Sequence, residues 1–145
     1  CIERRNVGKN WKLHHVAVVV RDIDKAVDYY QSLGIATVGR EVIFPESKPK
    51  IRAKFVQIGS LPIELIQPVE GESSYKEFLD SKGEGVQHIA FAVDNLDNEM
   101  AKLVDKGASV MVKGKAPAAY GSSTAHFDTR QVGDFAIQLI QQLVL

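Results

Sequence analysis

"LHHVAVVVRDID", residues 13 to 24, decides the fold, because "VQHIAFAVDNLD", residues 86 to 97, repeats its order of residue types. With the chain slid against itself by 73 residues, His15 falls on His88, Ala17 on Ala90, Val20 on Val93, Ile23 on Leu96, Asp24 on Asp97 and Gly34 on Gly107. At an offset one residue longer, "IELIQ" (63 to 67) lies over "IQLIQ" (137 to 141). Self-similarity at a fixed spacing marks one supersecondary unit used twice. The two copies are expected over 12–69 and 84–142 of a single domain spanning 1–145.

Each copy opens on a β-rich run (13–20; 86–93), followed by an aspartate-containing turn that can cap a helix. The next segments, "IDKAVDYYQSL" and "LDNEMAKLVDK", carry apolar residues such as Ile23, Ala26, Val27 and Tyr30 at helical spacing, and Gly34 and Gly107 stand where a helix C-cap is wanted. Three more strands are expected in each copy, at 36–44, 51–58 and 62–67, then at 108–113, 123–128 and 135–142. The unit is β-α-β-β-β, and the class is α+β. "PVEGESSYKEFLDSKGEG" joins the copies and holds a short helix from Ser74 to Ser81. The loops "FPESKPK" (44–50) and "GKAPAAYGSS" (114–123) take equivalent places and read as rims of a site.

Composition narrows the function. With 45% apolar and 25% charged residues the chain can bury a core, and 18 basic against 18 acidic residues leave no cationic face for nucleic acid. The single Cys1 cannot close an internal disulfide, which fits a reducing, cytoplasmic setting. "CIERRNVGKNW" is too polar for a signal peptide, and runs such as "VAVVV" are too short to cross a bilayer.

Strand parity sorts the side chains. Val16, Val18 and Val20, like Ile89, Phe91 and Val93, form a bulky face suited to packing on a helix. The other face carries His15, Ala17 and Val19, and in the copy His88, Ala90 and Ala92. On the last strand of each copy, Glu64 and Gln138 point away from Ile63 and Leu65, and from Ile137 and Leu139. A polar group buried without a partner costs roughly 1 to 3 kcal/mol, so four of them at corresponding places need a shared reason. A divalent ion supplies one, since imidazole nitrogen and carboxylate or amide oxygen suit Zn, Co, Ni or Mn. A hydrogen-bonded core histidine is the alternative for each ring taken alone. His14, on the opposite strand face, and His126, with no counterpart, read as structural, and Tyr29-Tyr30 reads as helix packing.

"HHVAVVVRDIDKAVDYY", "IELIQP" and "GEGVQHIAFAVDNLD" together resemble the vicinal oxygen chelate superfamily, the glyoxalase, bleomycin-resistance and extradiol-dioxygenase group, over residues 12 to 142. The segment from Ile63 to Asp97 is most similar to its methylmalonyl-CoA epimerase family. The resemblance implies an open, cup-like mixed β-sheet around a divalent ion held by His15, Glu64, His88 and Gln138, the quartet parity selects. It also implies an acyl-CoA substrate whose α-proton is moved, and a homodimer.

The chain departs from that family where an epimerase glutamate is replaced by Gln138, whose amide cannot accept a proton at neutral pH. The family's other base aligns near Ala53 or Lys54 on "KIRAKFVQIG", where no carboxylate stands. Glu64 is then the expected base, Lys54 the second candidate, and Arg52 or a loop lysine a holder of the anionic substrate. A glyoxalase-type lyase and a non-catalytic binder like the bleomycin-resistance proteins stay open as alternatives.

Overall fold

The structure, a computed structural model, describes residues 8, 10–43, 50–115 and 122–142. Most of the two expected rim loops, 44–49 and 116–121, lies outside the described residues. The chain divides into two compact units, residues 15–89 and residues 90–145 with the segment up to His14.

The first copy runs β1 (Lys12–Val19), α1 (Ile23–Ser32), β2 (Ala36–Ile43), β3 (Lys50–Ile58) and β4 (Leu61–Glu70), followed by the connecting α2 (Ser74–Lys82). The second runs β5 (Gly85–Ala92), α3 (Leu96–Asp105), β6 (Val110–Lys115), β7 (Ser122–Phe127) and β8 (Ala136–Gln142). Two βαβββ modules of α+β class are therefore present, with strand limits within two or three residues of those read from the sequence.

In the unit of residues 15–89 the strand order is β2-β3-β4-β1-β5. β1 runs parallel to β4, with Ala17 opposite Glu64, while β2-β3 and β3-β4 are antiparallel, which makes the sheet mixed. β2 is irregular between Val38 and Glu41. Gly39 lies there, and a Cβ on it would meet the Phe55 carbonyl oxygen at 3.1 Å, so the close approach of β2 to β3 needs glycine.

The bulky face packs as parity requires. Val18 and Val20 of the first copy meet Ile23, Val27 and Tyr30 of the α1 segment, with Val56 and Leu65 completing the cluster. The opposite, small-residue face is also covered: Tyr75, Phe78 and Leu79 of α2 pack on Ala17, Val19, Ala53 and Ile66. In the other unit β8-β7-β6 are antiparallel. Phe91, Val93, Leu96, Met100 and Leu103 gather there with Phe127 and Leu139.

Both helices of the repeated units start in the same way. Asp22 caps α1 by accepting from the Lys25 amide, and Asn95 caps α3 by accepting from the Asn98 amide. The first helical amides are tied by side chains of the last strands: Gln67 Oε1 accepts from Ile23 N at 2.9 Å and Gln141 Oε1 from Leu96 N at 2.8 Å. These bonds satisfy donors that a helix N-terminus leaves open. No described helix is long and apolar enough to cross a membrane.

Candidate metal centre

Three neighbouring strands of the unit 15–89 bring the donors together. Glu64 on β4 is paired with Ala17 on β1, and His15, two residues earlier on β1, shares the face of Ala17. His88 comes from β5, which borders β1. His15 is 3%, Glu64 9% and His88 1% exposed, so water is nearly excluded from all three.

His15 Nε2 stands 3.3 Å from His88 Nε2 and 3.9 Å from Glu64 Oε1. Among the described residues these three form a group whose ligating atoms lie within 4.8 Å of one another. Burying a carboxylate costs several kcal/mol unless an opposite charge compensates it, and a divalent ion among these donors would supply that charge. Two nitrogens on one tetrahedral ion, with bonds of about 2.0 to 2.1 Å, stand roughly 3.3 to 3.4 Å apart. The observed nitrogen separation and the N, N, O donor chemistry both fit a divalent ion of the first transition row.

Aromatic rings wall this cluster. Phe55 meets the His15 ring edge-on at 5.5 Å between centroids, and Tyr75 of α2 lies 6.4 Å from the His88 ring. Gln87, 7% exposed, accepts a hydrogen bond from Nδ1 of His88 through its Oε1. Sequence reading passed over these residues. Parity turned Gln87 away from His88, and α2 was read as a connector although Tyr75, Phe78 and Leu79 are spaced to line one helical face.

Two expected contributors sit elsewhere. Lys54 registers with Leu65, a member of the α1-facing core, so its side chain leaves the sheet on the face opposite Glu64 and cannot serve as a base there. Arg52 is engaged with Asp24 at 3.0 Å and Glu41 at 2.6 Å, which occupies the guanidinium proposed for the substrate anion. The cause is one of register: Ala53 and Phe55, not Arg52 and Lys54, share the face of Glu64.

Gln138 belongs to the other unit. It is 9% exposed, and its Oε1 has no hydrogen-bond partner among the described residues. A buried carbonyl oxygen of this kind has the donor chemistry of an amide ligand. Across the β7-β8 ladder Gln138 faces His126, whose imidazole is pushed down to about 4 by burial. His14, on β1 next to His15, is also lowered by burial. Tyr29 and Tyr30 touch at 5.7 Å on α1, and Tyr30 joins the core.

Residues 14–126 match the glyoxalase/bleomycin resistance protein/dioxygenase superfamily. The chain belongs to that superfamily. The chain is 28% identical over 131 residues to the protein YqjC of Bacillus subtilis (strain 168), covering 90% of this chain and 91% of that one. It is 29% identical over 137 residues to the mitochondrial methylmalonyl-CoA epimerase of Bos taurus, covering 94% of this chain and 75% of the relative. Among solved structures, methylmalonyl-CoA epimerase from Mycobacterium tuberculosis superposes with a TM-score of 0.76 at 25% identity, over 92% of this chain and 89% of that one. The buried cluster of His15, Glu64 and His88 lies within the residues that match this superfamily.

Proposed function

We propose that this superfamily member is an epimerase that moves the α-proton of a small acyl-CoA thioester of the methylmalonyl-CoA type. The observation that carries the reading is the convergence of two imidazole nitrogens and one carboxylate in a water-poor site. His15, Glu64 and His88 would hold a divalent ion, with Gln138 the fourth donor that the repeat assigns. Such an ion supplies Lewis-acid stabilisation of the negative charge that develops on a thioester oxygen.

The chain's own groups do the rest. Glu64 is the carboxylate of the cluster and would take the α-proton; the epimer forms when the planar enolate turns in the site and receives a proton on its opposite face, from the Glu64 carboxyl or from water. Removal of a positioned base of this kind typically costs 10²- to 10⁴-fold in rate. Gln138 orients and does not exchange protons, because an amide is not basic at neutral pH. Phe55, Ala17 and Tyr75 keep bulk water from the reacting carbon and leave an apolar wall for a short acyl branch.

Incubation with methylmalonyl-CoA in deuterated water tests this, with loss of the α-proton signal followed by NMR. Exchange well above the spontaneous rate, removed by Glu64→Gln, is the expected result; exchange at the spontaneous rate sinks the epimerase reading. The amide at 138 favours a second reading, a glyoxalase-type lyase on a thiol adduct, in which one carboxylate suffices. Turnover of a glutathione hemithioacetal without α-proton exchange on the thioester would select it.

A further inference from the structure

We infer that Gln87 is a positioning residue that fixes the His88 ring in the form able to ligate an ion. This rests on the metal-centre reading above. Gln87 and His88 are both buried, at 7% and 1% exposure, and Gln87 Oε1 is bonded to His88 Nδ1. An amide oxygen only accepts, so the proton of that bond sits on Nδ1. Neutral imidazole carries one N–H, and Nε2 of His88 is left with its lone pair. It is this Nε2 that points into the cluster, 3.3 Å from Nε2 of His15.

Without the amide oxygen, His88 would divide between two tautomers, one of which presents N–H to the ion and cannot bind it. The bond also stops the ring from turning about its Cβ–Cγ axis and makes Nε2 more basic. Losing an outer partner of this kind typically weakens metal affinity by 10- to 100-fold. At the corresponding place the first copy has His14, so the second copy carries an amide where the first carries an imidazole.

Two measurements on the full chain test the inference. In the first, two-dimensional 15N–1H correlation of the histidine rings, without added metal at pH 7.5, reads the His88 tautomer; protonated Nδ1 is expected, and protonated Nε2 overturns the proposal. In the second, Co2+ and Zn2+ affinities are read by competition with a chromophoric chelator. Gln87→Leu should weaken both ions 10- to 100-fold, while Gln87→Glu, which keeps an acceptor oxygen, should bind at least as tightly as the parent. Equal weakening by both variants, or none by Gln87→Leu, overturns the role. Wild-type protein that binds neither ion instead overturns the metal centre itself, and the ring spectrum, which needs no ion, still decides whether Gln87 sets His88.

Discussion

The two copies of the βαβββ unit agree in their scaffold and differ in their chemistry. Helix starts are built alike, with Asp22 and Asn95 as caps and Gln67 and Gln141 reaching from the last strands to Ile23 and Leu96. Even the backbone bond that closes each unit is repeated, from Val20 to Ile66 and from Val93 to Ile140, at 2.9 Å in both. At the proposed donor positions Glu64 answers to Gln138, and beside the two histidines of the repeat His14 answers to Gln87. Packing constraints act on each copy separately and hold it to one solution, whereas an ion held as proposed would need only a complete donor set and would let the two copies specialise.

Changes that erase the difference should have the largest effect. Glu64→Gln makes both strands carry an amide and is expected to lower α-proton exchange by at least about 10²-fold, measured by NMR in deuterated water. Gln138→Glu gives both strands a carboxylate and should tighten Co2+ binding about tenfold by added negative charge; unchanged affinity in a chelator competition would remove Gln138 from the donor set.

A pH effect is expected from His126 in the second copy. His126 titrates near 4 in the folded protein against 6.5 in the unfolded chain, because burial opposes its charged form. Its contribution is whole above about pH 6.5 and is lost as pH falls from there towards 4, by about 3 kcal/mol at full effect. Urea denaturation at pH 7 and pH 4.5 should therefore show a smaller drop for His126→Leu than for the parent.

The scaffold's sameness can be measured in the same way. Gln67→Leu and Gln141→Leu each orphan a helix-start amide and should each cost about 1 to 2 kcal/mol, with nearly equal urea midpoints. Unequal losses would show that the copies are not energetically interchangeable. Smallest are the caps: Asp22→Ala and Asn95→Ala should each cost about 1 kcal/mol in thermal denaturation.

Much of this was legible in the sequence because a duplicated pattern is read twice. The period set the topology, and period-two alternation placed His15 with Ala17 and Glu64 against Leu65, which is how the strands arrange them. Parity within one strand does not give the register between strands, and this is where Lys54 and Arg52 were misjudged. Both needed the pairing of Ala53 with Ile66 and Phe55 with Glu64 to show that they leave on the α1 side. Gln87 was missed for a related reason: alternation fixes where a side chain starts, and a long amide can still reach its sequence neighbour's ring.

The helix between the copies has one more consequence. Because the partly buried Tyr75, Phe78 and Leu79 shield Ala17, Val19, Ala53 and Ile66, the linker is a cover for the first copy's interior. Splitting the duplicated gene after Glu70 and expressing the leading fragment alone would bare an oily sheet surface, and that fragment should clump more readily than the intact chain.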